Sequence, residues 1–158
     1  MKRSVTQADY QALADLRYQI RRFLHFSEQA AHLVGIEPRQ HQLMLALKGL
    51  PARTRPLIRE LADRLQIQHH STVELVNRLA AGGYVRRHRM QEDRRAVWLS
   101  LTKKGETILR ELSLHHEEEL QRRGPALIAA LLRAIGKNRT NRRTTAKVGS
   151  RSGKTSKQ

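Results

Sequence analysis

The sequence predicts a mainly α-helical protein with one small β-hairpin. Apolar residues recur at three- and four-residue steps along most of the chain, as they do from Tyr10 to Leu24, and this is the period of an amphipathic helix. One short segment, Val97–Leu101, instead places apolar residues at alternate positions, as a strand does. Glycine and proline interrupt the helical pattern at several points. These observations favour several helices with the hairpin inserted between two of them.

Six helices are expected along the chain, and their limits follow from apolar periodicity and from Gly and Pro. In order they are Tyr10–Leu33, Pro38–Leu47, Leu57–Leu65, His69–Ala81, Lys103–Arg123 and Pro125–Ile135. Gly124-Pro125 predicts the break between the last two, because proline removes a helical hydrogen bond. Thr54 and Thr102 are candidate N-caps of the third and fifth helices, and Ser71 or a neighbouring residue is the candidate N-cap of the fourth.

The middle helices and the hairpin together carry enough apolar residues for a core of their own. The residues expected in it are Leu43, Leu47, Leu61, Val73, Val76 and Leu79. The first and last helices carry further apolar stripes, which exceed what the core of a small lobe can bury. We therefore expect those stripes to be covered by a second copy of the chain.

Composition narrows the classes of function. The chain has 158 residues, which suggests one domain, and its formal net charge of +17 favours a polyanionic partner. The absence of cysteine excludes disulfides, thiolate zinc sites and iron–sulfur clusters. The sequence shows neither a long apolar span nor the apolar core of a signal peptide. A cytoplasmic location is therefore expected.

The charge is concentrated at two places. Residues 137–158 hold eight Lys and Arg and no acidic residue, with Val148 as the single larger apolar side chain, so we expect a disordered basic tail. The remaining residues still carry an excess of nine positive charges. Within them, Arg86–Arg95 contains five arginines in ten residues.

The order of helix, short turn, helix and Arg-rich hairpin indicates a winged helix-turn-helix. An α-helix with its side chains fits the major groove of B-DNA, so His69–Ala81 is the candidate recognition helix. The residues expected to contact bases or phosphates from it are His69, His70, Ser71, Thr72, Glu74, Asn77 and Arg78. An arginine-tipped hairpin can follow the adjacent minor groove. Its candidate DNA contacts are Arg86, Arg87, Arg89, Asp93, Arg94 and Arg95.

The stretch Glu37–Leu112 resembles the MarR-type winged helix-turn-helix transcriptional regulators. The resemblance is carried by ELADRL at 60–65, STVELVNRL at 71–79, GGYVRR at 82–87 and EDRRAVWLSLTKKGE at 92–106. It implies that Asp93 orients Arg95 in the wing. It also implies that the protein is a homodimer that binds double-stranded DNA and represses transcription. It also implies release by a small aromatic or anionic effector, bound between a dimerisation lobe and a DNA-binding lobe.

The resemblance also divides the chain. Residues 1–136 form the winged-helix domain, with the DNA-binding lobe at about 38–101 and dimerisation helices at about 8–34 and 103–136. The tail, 137–158, follows. One departure is the start of the third helix, where Arg55-Pro56-Leu57 follows a longer loop than many members of the family have.

Two other classes of function are alternatives to regulation by sequence-specific DNA binding. An enzyme would need a catalytic or metal signature, and the best approximation is His115 with Glu119, four residues apart on a helix. A solvated helix face explains that run more simply, and His69-His70 point too far apart to share a metal. An architectural or RNA-binding protein that uses charge alone is the alternative, supported mainly by the tail. We therefore expect no enzymatic activity, no metal and no cofactor.

Overall fold

The computed structural model describes residues 4–89 and 97–148. Its elements are α1 (Gln7–Leu33), α2 (Pro38–Lys48), α3 (Ile58–Leu65), α4 (His69–Ala81), β1 (Val85–Arg89), β2 (Val97–Leu101) and α5 (Lys103–Val148). The two strands pair antiparallel. The predicted fold class, mainly helical with one small hairpin, is thereby confirmed.

The predicted helix break at Gly124-Pro125 is wrong. The structure has a single helix, α5, with Pro125 in its interior. Proline deletes one backbone hydrogen bond and glycine is a poor helix former, but Gly124-Pro125 is flanked by good helix formers, with QRR before it and ALIAALLRA after it. The helix propensity of these flanking residues allows α5 to continue past Pro125.

The helix α5 also continues beyond Gly136, where the sequence predicts a disordered tail. Its backbone is helical as far as Val148, so that prediction is wrong for residues 137–148. This part of the tail holds no Pro or Gly after Gly136, and extending a helix that already exists costs far less than nucleating one.

The ends of the helices show which residues cap them. Thr102 caps α5 as predicted, because its Oγ1 accepts a hydrogen bond from the Gly105 N–H at 3.1 Å. The N-cap positions of α3 and α4 are Leu57 and Gln68. The expectation that Thr54 and Ser71 cap these helices is therefore wrong, since α3 starts after the loop and Ser71 already lies inside α4.

The described residues belong to two compact units. The winged-helix unit is His25–Glu118, and the helical unit combines Met1–Leu24 with Glu119–Gln158. The first therefore contains the end of α1, the beginning of α5 and everything between them. The second contains the remaining parts of these two long helices.

The core of the winged-helix unit lies among α2, α3, α4 and the hairpin. Its buried apolar residues are Ile36, Leu43, Met44, Leu47, Leu61, Leu75, Val76, Leu79, Val85, Leu99 and Leu109. Five of the six predicted core residues are among them. The exception is Val73, which is only half-buried. The buried stripe of α4 is instead Thr72, Leu75, Val76 and Leu79.

The hairpin is attached to this core through one of its faces. Val85 pairs with Leu101 and Arg87 with Leu99, and Val85 and Leu99 are buried. The loop before α3 joins the edge of the hairpin, because the Leu99 N–H donates to the Pro56 carbonyl at 3.0 Å. This attachment holds the base of the hairpin next to α4.

The helical unit is held by different contacts. Arg133 of α5 pairs with Asp15 of α1, and its hydrogen bond holds the pKa of the Asp15 carboxyl below its ordinary value. Glu119 is buried and pairs with Arg122 and Arg123 within α5. Ala12 and Ala130 are also buried in this unit.

Candidate nucleic-acid interface

The helix α4 presents one polar, exposed face. Of the predicted recognition residues, five are exposed and Ser71 is half-buried; the exposed ones are His69, His70, Glu74, Asn77 and Arg78. The opposite face of the helix fills the core. Because only the polar face is accessible, a groove of DNA that meets α4 meets donors and acceptors.

Thr72 does not belong to this face. Its side chain is fully buried, and its Oγ1 donates to the Gln68 carbonyl one turn earlier at 3.1 Å. The prediction that Thr72 contacts DNA is therefore wrong. The sequence suggested it because a threonine near a helix start is polar, but the hydroxyl is satisfied by its own helix and the methyl group can pack in the core.

The polar face of α4 is tied to its neighbours by two contacts. Asn77 accepts a hydrogen bond from Arg87 of β1. Arg78 donates to Glu37, the residue that precedes α2, with 2.8 Å between Nη1 and Oε2. Both Arg78 and Glu37 remain about half exposed, at 52% of their side-chain surface. The helix is thus linked to the wing on one side and to the start of α2 on the other.

The C-terminal end of α4 is held by the beginning of α5. Lys104 donates to the Gly82 carbonyl at 2.8 Å and lies 4.4 Å above the ring of Tyr84. Thr102 donates to the Gly83 carbonyl at 2.6 Å. A cation and a hydroxyl at the negative end of a helix satisfy carbonyls that the helix leaves open. Sequence reasoning missed this role of Lys104.

The base of the wing is basic. Arg86, Arg87 and Arg89 are exposed on β1. On the face that points away from the core, the rings of His88 and Trp98 stack at 3.8 Å between centroids, and His88 Nε2 lies 2.8 Å from Ser100 Oγ. Trp98 therefore packs against its cross-strand neighbour His88. The tip residues Asp93, Arg94 and Arg95 lie outside the described residues, so their predicted roles stay predictions.

Comparison with known proteins identifies the fold and a likeness to one family. Residues 34–96, which include α2 to α4 and the start of the wing, match the MarR family model. Over this part of its sequence, the chain is similar to the MarR family. No curated protein matches the sequence closely enough to count as a relative.

Solved structures of MarR-family proteins share this fold. AbsC from Streptomyces coelicolor superposes with a TM-score of 0.69 at 20% identity, over 90% of this chain and 99% of AbsC. A mutant of MarR from E. coli in complex with operator DNA gives 0.60 at 17% identity, over 77% and 88% of the two chains. A mutant of MepR from S. aureus bound to an oligodeoxyribonucleotide gives 0.59 at 16%, over 93% and 99%.

The structure also places the residues considered above as possible metal ligands. His69 and His70 are both exposed at the start of α4, and Glu119 is engaged by Arg122 and Arg123. Among the described residues, no group of three or more His, Asp and Glu is arranged to hold a metal ion. None of the helices in the described part of the chain is both long and apolar enough to cross a membrane.

A pair of histidines lies inside the winged-helix unit, with His41 buried and His116 half-buried. The rings of His41 and His116 are 4.9 Å apart, and His116 Nε2 is 2.7 Å from Ser27 Oγ. Burial lowers the pKa of His41 to about 4, with the charge of His116 as a smaller cause. Nδ1 of His41 has no hydrogen-bond partner among the described residues. This pair could not be predicted from the sequence, because its members are 75 positions apart.

The winged-helix unit also contains a cleft of about 330 Å³. It lies between the end of α2, the loop before α3 and strand β2, with Leu50, Thr54 and Ser100 in its wall. An ion pair of Lys48 and Glu106, at 2.8 Å, borders it. The size is at the lower limit of small-molecule sites.

Proposed function

We propose that this protein is a MarR-family, sequence-specific repressor that binds double-stranded DNA as a homodimer and is released by a small-molecule effector. The observation that carries the proposal is the exposed polar face of α4 beside three exposed arginines of β1. The polar face of α4 offers groups that can discriminate bases, and the arginines of β1 offer charges that neutralise phosphates.

The two surfaces suit the two grooves of B-DNA. His70, Glu74 and Asn77 are exposed on α4 and enter the major groove, where each base pair presents a distinct pattern of donors and acceptors. Arg86 and Arg89 lead along the hairpin towards the minor groove. The DNA complexes of the E. coli MarR mutant and the S. aureus MepR mutant support this role, since both share the fold.

The helical unit supports a homodimer. On the described parts of its two helices, ten large apolar side chains are more than 40% exposed: Tyr10, Leu13, Tyr18, Ile20, Leu24, Leu120, Ile128, Leu131, Leu132 and Ile135. A monomer seldom leaves so many on one pair of helices. A twofold copy covers them and places two α4 helices on half-sites about one helical turn apart.

Release by an effector rests on the family resemblance. The expected ligand is a small aromatic or anionic molecule, and the cleft beside β2 is large enough for one. Benzoate and 4-hydroxybenzoate serve as probes. Loss of operator binding at millimolar concentrations of either, with unchanged melting of the free DNA, supports this part of the proposal. If a wider panel of aromatic acids also leaves the affinity of the protein for its operator unchanged, release by an effector of this kind is contradicted.

Sequence specificity is tested by selection from a random-sequence duplex library. The proposal predicts an enriched pseudo-palindrome. In the selected duplex, Glu74→Ala and His70→Ala change which base is preferred at one position of each half-site. Arg86→Ala and Arg89→Ala instead weaken all sequences by a similar factor, about tenfold each. Retention of DNA without any enriched motif would support the alternative, a charge-driven architectural protein.

A further inference from the structure

Arg78 and Glu37 form an ion pair inside the surface assigned above to DNA. The guanidinium of Arg78 projects from the polar face of α4, and Glu37 Oε2 holds it at 2.8 Å. The two residues are 41 positions apart, so the fold, rather than the local helix, brings them together. Both remain about half exposed, so water and a competing anion can reach them.

We propose that Glu37 competes with DNA phosphate for Arg78 and thereby limits the affinity of the protein for DNA of any sequence. This inference rests on the proposed function, because it assumes that α4 approaches DNA. An arginine can donate to a carboxylate or to a phosphate with the same nitrogen atoms. A contact between Arg78 and a phosphate therefore requires that the bond to Glu37 be given up, and Glu37 is left facing a polyanion.

The competition has a signature in the salt dependence of binding. A free arginine that neutralises a phosphate releases a condensed cation, which contributes about 0.9 to the slope of log K against log salt. The Glu37 carboxylate stays close to Arg78 and cancels part of the positive charge that the guanidinium brings to the phosphates. The wild type therefore releases fewer condensed cations than a variant without the Glu37 charge, and its slope is shallower. A purely structural role for Glu37 would not alter the slope in this way.

The local structure allows a clean substitution. Glu37 is the N-cap residue of α2, and its N–H donates to the side chain of Gln40 at 3.1 Å. Glu37→Gln keeps a side-chain oxygen and this backbone bond, and it removes only the charge. The exposed ion pair itself contributes little to stability, so its loss leaves the fold intact.

The chain offers a matched control. Lys48 and Glu106 form a second exposed ion pair, also at 2.8 Å, which joins α2 to α5 and involves neither α4 nor the hairpin. Glu106→Gln raises the net charge by the same amount as Glu37→Gln. Any difference in DNA binding between these two variants therefore reports the position of the charge rather than its sum.

The experiment measures binding of the full chain to one random-sequence duplex over a series of salt concentrations. Glu37→Gln is expected to raise affinity about 3- to 10-fold over Glu106→Gln and to steepen the slope by up to about 0.9. In an Arg78→Ala background the gain shrinks to the part caused by repulsion between the Glu37 carboxylate and phosphate, because there is no ion pair left to break. Equal affinities and slopes for Glu37→Gln and Glu106→Gln, or a full gain without Arg78, would overturn the inference.

Two further arms keep the result interpretable. If Glu37→Gln melts well below the wild type, Glu37→Asp replaces it; it withdraws the carboxylate by one methylene, and a smaller gain in the same direction is expected, whereas no gain contradicts the competition. The wild-type selection experiment reports on the proposed function separately. Binding without an enriched motif defeats sequence-specific regulation but leaves the Glu37 comparison valid.

Discussion

The winged-helix unit and the helical unit differ in where they place their large apolar side chains. In the first, Leu43, Leu61 and Leu79 are completely buried, and the exposed face of α4 is polar. In the second, Ile128 and Leu132 remain about 60% exposed, and Tyr10 and Tyr18 are also exposed. The first unit has an extensive buried core of its own, whereas the second leaves the apolar side chains of its two helices exposed, and the proposed homodimer would cover them. Within the proposed function, DNA reading and assembly are therefore carried by different parts of the chain.

The largest effect is expected from a cavity in the self-contained core. Leu79→Ala should lower the free energy of unfolding by about 2–5 kcal/mol, because Leu79 is fully buried and the space it leaves cannot close completely. Chemical denaturation measures the change. Leu33→Ala is the matched control, since Leu33 is 87% exposed. Equal losses for the two leucines would contradict the account of this core.

A second effect follows from the buried His41. Its pKa is about 4 in the fold against an ordinary value of 6.5, so the unfolded chain takes up the proton first as the pH falls. The contribution of neutral His41 to the free energy of unfolding is therefore fully present above about pH 6.5. It is lost progressively as the pH falls towards 4, and the loss amounts to roughly 3 kcal/mol.

Denaturation between pH 4 and pH 7.5 checks this loss. His41→Phe keeps an aromatic ring beside His116 but cannot take up a proton, so the pH dependence should become flatter. His32→Gln, which removes an exposed histidine of α1, should leave the profile close to that of the wild type. A profile as steep in His41→Phe as in the wild type would show that other groups cause the acid sensitivity.

The smallest effect concerns the junction of α4 and α5. Lys104→Met removes the donor to the Gly82 carbonyl and the cation above Tyr84, and keeps an unbranched side chain. The expected loss of stability is about 1 kcal/mol. Lys103→Met, one position earlier on the exposed start of α5, is the control. A loss no greater than that of the control would remove Lys104 as the cap of α4.

The sequence predicted those features that depend on local pattern. The periods of the helices, the alternation in β2 and the cap at Thr102 all reflect contacts within a few residues, and the structure confirms them. Val73 was misplaced because Leu75, Val76 and Leu79 define a stripe only slightly rotated from the predicted one. The break at Pro125 was predicted from one missing hydrogen bond, which the surrounding helix formers outweigh.

The remaining errors and omissions are long-range. The pairs Glu37–Arg78 and His41–His116 depend on how helices pack, and their spacing along the chain follows no period. The residues predicted to contact DNA from α4 share one helix, and the structure exposes five of them, while their contacts with DNA stay a prediction. Which of them is sequestered, as Arg78 is by Glu37, and which is buried, as Thr72 is, becomes visible only once the neighbouring elements are in place.

The central claim is that the helical unit forms the dimer and the winged-helix unit binds DNA. It is tested most directly by sedimentation velocity of the full chain at low micromolar concentration. The wild type is expected to sediment as a dimer, and Ile128→Glu/Leu132→Glu as a monomer whose winged-helix unit keeps its near-native helicity, because two charges cannot be buried in an apolar interface without a large penalty. The double variant should still bind random-sequence DNA weakly. A wild type that sediments as a soluble monomer, or a double variant that remains dimeric, would contradict it.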